Sequence, residues 1–169
     1  DMGKLFDLEA SGYFYTRLQN PTSDAVAARL CALEGGTAAM LLSSGQAASF
    51  FSIFNIASAG DHVVASSEIY GGTYNLFAVT MKRMGIDFTF VDPDCTEAEL
   101  EAAFRQRPKA LVLCNPSNPC GKVFTRAELE TIADLAKKYD AYVITDEVYE
   151  HIVYAPYTHT YFASLPGMW

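Results

Sequence analysis

Four clusters in this sequence combine residue types and spacings that could do chemistry. The stretch AYVIT, apolar at four of five positions, is followed at once by Asp146 and Glu147, with Tyr149 three residues after Asp146. A carboxylate at the rim of an apolar segment needs a charged or multiply hydrogen-bonding partner, and no Arg or Lys of that segment is an obvious one. A cation from outside the chain, such as a protonated pyridine nitrogen, would serve; alternatively Asp146 caps the next helical turn. The run Asn115-Pro116-Ser117-Asn118-Pro119-Cys120-Gly121 follows the apolar KALVLC. Its prolines fix the backbone, so its asparagine amides are held in defined directions to donate and accept hydrogen bonds.

The other two clusters follow apolar runs as well. Tyr70-Gly71-Gly72-Thr73 comes shortly after HVVASS, and offers either an aromatic ring for stacking on a planar ligand or a turn with a packing tyrosine. Ser43-Ser44-Gly45-Gln46 opens a helical segment. Free N–H groups and the positive end of the helix dipole there could bind an anion, or the glycine could simply start the helix. Neither the dinucleotide glycine fingerprint nor the P-loop pattern occurs, which argues against a nucleotide-binding module.

These clusters must be positioned by something, and the chain supplies an alternating series of elements. Asn20 and Pro21 read as a helix cap and first-turn proline, with Gly35 as the stop. AAMLLSS (38–44), HVVASS (62–67), IDFTFVD (86–92), KALVLCN (109–115) and AYVIT (141–145) read as strands. GQAASFFSIFNIAS, GTYNLFAVTMKRMG, TEAELEAAFRQR and TRAELETIADLAKKYD read as helices between them. In the last, Thr125 and Glu128 form a capping box, and Leu129, Ile132, Ala133 and Ala136 share one face. Parallel neighbours need crossover connections, so the expected fold is α/β, an open, mostly parallel sheet with helices on both faces. Ligands bind such sheets at the carboxyl ends of the strands, where all four clusters fall.

Composition bounds the rest. The 169 residues are 50% hydrophobic, enough to fill a core, and 12 basic against 20 acidic side chains give a net charge of -8. That sign disfavours nucleic acid and anionic membranes as partners. The uncharged stretch 35–60 is interrupted by Gly45, Gln46 and Asn55, so a soluble strand and helix are expected rather than a membrane span. Cys31, Cys95, Cys114 and Cys120 form no CxxC pair, and His62, His151 and His159 do not join them at metal-ligand spacing. Reduced cysteines in a cytoplasmic protein, with no metal and no secretory leader, are therefore expected.

The motifs resemble those in the large domain of fold-type I pyridoxal 5'-phosphate enzymes. Residues 1–107, through YFYTRLQNPT, ALEGG, SSGQAA, GDHVVASSEIYGGTYNLF and GIDFTFVDP, are similar to the Cys/Met metabolism group, to which O-acetylhomoserine sulfhydrylases and methionine gamma-lyases belong. Residues 108–169, through NPSNPCGKVFTRAEL, ITDEVYE and ASLPGMW, resemble class I aminotransferases of the kynurenine aminotransferase and cysteine-conjugate beta-lyase type.

The resemblance implies that Ser44, Gly45 and Gln46 meet the cofactor phosphate and that Tyr70 stacks on the pyridine ring. Asn118 and Tyr149 would face the phenolic oxygen, and Asp146 would pair with the pyridinium nitrogen. Tyr15 and Arg17 would reach the phosphate of a neighbouring subunit, implying a homo-oligomer, dimer or tetramer. The Schiff-base lysine of such enzymes lies in a Ser-x-Gly-Lys stretch beyond PGMW. Lys4, Lys82, Lys109, Lys122, Lys137 and Lys138 do not match that motif, so residues 1–169 are expected to be a truncated large-domain fragment without that lysine or the small C-terminal domain. The implied activity is sulfur amino-acid chemistry on a small-molecule amino-acid substrate, with transamination or beta-lysis as the alternative and an inactive cofactor-binding or structural fragment as a reading of another class.

Overall fold

A computed structural model describes residues 2–7 and 9–168. They fall into two compact units, divided between Gly45 and Gln46.

The first unit contains α1 (Met2–Phe6) and α2 (Pro21–Glu34). The start of α2 is the expected one: Asn20 Oδ1 accepts from the N–H groups of Thr22 (2.9 Å) and Ser23 (3.3 Å), and Pro21 occupies the first turn. Gly35 stops the helix at φ 66°, in the left-handed region where a side chain would be strained. Only Ala27 of α2 is buried, and Leu33 is 71% exposed. The segment 38–44, expected as a strand, is irregular instead. A strand needs a neighbour for its N–H and C=O groups, and among the described residues none pairs with this segment, whose Met40 is 79% exposed.

In the second unit, α3 (Gly45–Phe54), all but its first residue, precedes β1 (His62–Ser66). Next come α4 (Gly71–Asn75), β2 (Asp87–Val91), α5 (Glu97–Phe104), β3 (Ala110–Cys114), α6 (Arg126–Tyr139) and β4 (Tyr142–Asp146). The helix expected over 72–85 is α4 running into a π-helical stretch, Leu76–Met81. All strand pairs are parallel, in the order β2-β1-β3-β4.

Alternation along the central strands divides the core between the two faces of the sheet. Val64, Leu111 and Leu113 pack with Leu100, Phe104, Leu129 and Ile132 of α5 and α6. Val63, Ala65, Ala110 and Val112 pack with Ile53 of α3 and with Phe77 and Met81 of the π-helical stretch. The apolar stripe expected on α6 is the buried one, and the Thr125/Glu128 capping box is formed. A second box, Thr96 with Glu99, starts α5 in the same way. The chain leaves β1 toward β2 on one side and later returns to lay β3 on the other. The carboxyl ends of β1 and β3 therefore flank a topological switch point, where open α/β sheets bind ligands.

Candidate functional site

The loops leaving β1 and β3 are tied together across this switch point. Ser117 Oγ donates to the carbonyl of Glu68 at 2.6 Å, fixing the Asn-Pro loop against the segment that carries Tyr70. Within the Asn-Pro loop, Ser117 N–H donates to Lys122 O (2.9 Å) and Gly121 N–H to Ser117 O (2.9 Å). Asn115 is fully buried, and its Oδ1 accepts from Phe124 N–H at 3.0 Å, so the loop is anchored at both ends.

On the β1 side, Ile69 is buried and Tyr70 is 54% exposed, so the first anchors the segment and leaves the second's ring presented to solvent. Tyr70 O accepts from Thr73 N–H (2.8 Å) and Tyr74 N–H (2.9 Å), which sets the start of α4. Gly72 lies close against the same ring. A Cβ there would stand 2.6 Å from Tyr70 Cε1 and 2.8 Å from Gln46 Nε2, closer than packed atoms approach. Gln46 Nε2 in turn donates to Thr73 Oγ1 at 3.3 Å. Gln46, Tyr70, Gly72 and Thr73 thus form one small platform.

On the β3 and β4 side, Asn118 Nδ2 donates to Tyr149 OH at 3.3 Å, which brings together two expected site residues 31 positions apart. Asp146 is the last residue of β4 and the register partner of Cys114. Its backbone carbonyl accepts from Asn115 N–H at 3.0 Å. The Asp146 side chain is exposed, with Oδ1 accepting from Val148 N–H at 3.3 Å. That local bond is the capping alternative, and it occupies one carboxylate oxygen. Among the described residues, no Lys, Arg or His lies within ion-pair distance of Asp146.

Burial pushes the neighbouring Cys114 thiol up to about 11, against the lowering effect of the Asn118 backbone N–H, with the Asp146 charge pushing further upward. The thiol is therefore an inert packing group at neutral pH.

Of the remaining expected residues, Ser44 and Gly45 lie in the first unit, as do Tyr15 and Arg17. The Arg17 guanidinium sits 4.9 Å from the centre of the Tyr15 ring. No carboxylate among the described residues is within ion-pair distance of Arg17. Lys122, one of the lysines outside the Schiff-base motif, is largely covered. It bridges Asp94 (2.6 Å) and Glu128 (2.8 Å), which makes it a structural cation behind the Asn-Pro loop. Sequence reasoning missed the roles of Gly72, Thr73 and Ser117; the glycine doublet beside an aromatic was the available signal for the first.

Aromatic, amide and carboxylate groups thus follow the carboxyl ends of β1, β3 and β4 in an α/β sheet. The chain belongs to the Cys/Met metabolism PLP-dependent enzyme family, whose model matches residues 1–159. That match runs on through most of the segment after residue 107.

Over 146 residues the chain is 44% identical to a homocysteine/cysteine synthase of Saccharomyces cerevisiae, covering 86% of this chain and 32% of that protein. It is 37% identical to O-acetyl-L-homoserine sulfhydrylase 1 of Thermus thermophilus, covering 86% and 34% respectively. A Campylobacter jejuni crystal structure described as an O-acetylhomoserine (thiol)-lyase, with N'-pyridoxyl-lysine-5'-monophosphate, superposes with a TM-score of 0.77 at 38% identity, over 86% of this chain and 35% of that one. The chain thus spans about a third of the length of the relatives it matches. Among the described residues no helix is long and apolar enough to cross a membrane.

Proposed function

We propose that this chain is the cofactor-binding part of a pyridoxal 5'-phosphate enzyme of sulfur amino-acid metabolism, acting in C–S bond exchange of the O-acetylhomoserine sulfhydrylase or gamma-lyase type. One observation carries the reading: Asp146 is exposed at a strand's carboxyl end with no cation of the described chain beside it. A protonated ring nitrogen would pair with such a carboxylate.

The neighbouring groups fit the same ligand. Tyr70, with its ring exposed above Gly72, would cover one face of the pyridine. Asn118 and Tyr149, already hydrogen-bonded to each other, would direct donors at the phenolic oxygen. The N–H group of Gln46 would meet the phosphate. Tyr15 and Arg17 would serve the phosphate of a second copy, which makes the working unit a homo-oligomer. When bound, pyridoxal phosphate supplies an electron-withdrawing ring that stabilises negative charge at the substrate's alpha carbon. Asp146 would keep the ring nitrogen protonated, and Tyr70, Asn118 and Tyr149 would hold the ring's orientation.

A second reading is class I aminotransferase chemistry, in which Asn118 and Tyr149, hydrogen-bonded to each other, would both face the phenolic oxygen. Turnover of O-acetylhomoserine with sulfide, compared with amino transfer to a 2-oxo acid, separates the two chemistries. For the site itself, Asp146→Ala is expected to weaken pyridoxal phosphate binding about 10- to 100-fold, the worth of one charge-assisted hydrogen bond. Calorimetric titration showing unchanged affinity would refute the pyridinium role.

A further inference from the structure

We infer a divalent-cation site, of the zinc class, formed by Glu147, Glu150 and His159. Each offers a ligand atom, and the three atoms all lie within 4.8 Å of one another. None of the three is among the residues assigned to the cofactor.

His159 carries the argument. Its side chain is 7% exposed, yet neither ring nitrogen has a hydrogen-bond partner. A buried polar atom left so costs roughly 1–3 kcal/mol, so native structures rarely keep one without a purpose. Nε2 faces Glu147 Oε1 at 3.9 Å, too long for a hydrogen bond but well placed for an ion between them. The ring stands edge-on to Tyr161, with centroids 4.7 Å apart and planes at 89°, which helps fix its plane.

Glu147 Oε1 also accepts from Phe162 N–H at 3.1 Å, an orienting bond of the kind that ligand carboxylates receive from their surroundings. Glu150 Oε1 lies 3.2 Å from Nε2 of the exposed His151. One imidazole and two carboxylates are the donor set that Zn²⁺ accepts at about 2.0–2.2 Å. Two ligands of one ion can stand at most about 4.4 Å apart at those bond lengths, so side-chain adjustments of under about 1 Å close the site. Three protein ligands leave a position open to water.

The test is a Zn²⁺ titration of the 169-residue chain against a chromogenic chelator, with thermal melts in parallel. The wild type should take up one equivalent, and its melting temperature should rise with Zn²⁺. Glu150→Gln, at a partly exposed position that folding should tolerate, should lower the affinity tenfold or more and abolish the thermal shift. His159→Gln should do the same where circular dichroism shows it folded. Absence of stoichiometric uptake, or wild-type affinity in Glu150→Gln, overturns the site. Zinc held by the cysteines would give that second result.

Discussion

The two units of the chain hold their candidate residues in opposite ways. In the sheet unit, Tyr70 and Asn118 follow β1 and β3, whose residues are largely sealed from water, and the Ser117–Glu68 and Asn118–Tyr149 bonds tie their loops and Tyr149 in place. In the N-terminal unit, Tyr15 is 45% exposed, α2 buries one side chain, and Leu30 and Leu33 face solvent. Groups set by a parallel sheet are pre-arranged before any ligand arrives, which lowers the ordering cost of binding. Groups on a thinly packed helical segment gain their order from whatever covers them. The proposed roles follow the same division, with ring-contacting residues on the sheet unit and Tyr15 and Arg17 directed to a second copy.

The contrast can be broken by substitution. Leu129 is fully buried on α6, and Leu129→Ala should cost about 2–5 kcal/mol in chemical denaturation. A smaller loss would mean that the core between α6 and the sheet is loosely packed. Next in size is thiol reactivity. With its thiol pushed up to about 11, Cys114 should hold about 100-fold less thiolate near neutral pH than an ordinary cysteine. Its alkylation should speed up as pH rises toward 11. Mass spectrometry of timed alkylation should find exposed Cys120 modified first and buried Cys114 last; early labelling of Cys114 would mean that the β3 end opens readily.

Ser117→Ala removes the staple between the two loops and should cost about 1 kcal/mol, together with faster hydrogen exchange in residues 68–73. Unchanged exchange would show that the loops are held by something other than this bond. Leu33→Ala should be the mildest, within about 0.5 kcal/mol, because the side chain is 71% exposed. A loss of 2 kcal/mol or more would reveal a partner covering α2 in solution.

The strand and helix order of the sheet unit could be read directly, because each strand is a short apolar run and α6 shows a clear 3.6-residue period. The error at 38–44 has a physical origin. An apolar run is compatible with a strand, but pairing is a long-range property, and nothing local to Met40–Leu42 states whether a neighbour exists. The π-helical register at Leu76–Met81 escaped for a related reason, since composition does not distinguish it from an ordinary helix. At the site, Asp146 and Asn118 stood out because a carboxylate and an amide after apolar runs are conspicuous. Gly72 and Ser117 did not, because their importance lies in what they touch across loops. His159 escaped as well, since the 147, 150 and 159 spacing matches no known ligand pattern and only the fold brings those residues together.

The central claim is that Asp146 awaits a ring nitrogen's charge, and the most direct test varies both partners. Affinities of the wild type and Asp146→Ala would be measured for pyridoxal 5'-phosphate and for its analogue with carbon in place of the ring nitrogen. The wild type should prefer the natural cofactor about 10- to 100-fold, and Asp146→Ala should bind the two nearly equally. Equal discrimination by both proteins would contradict the account.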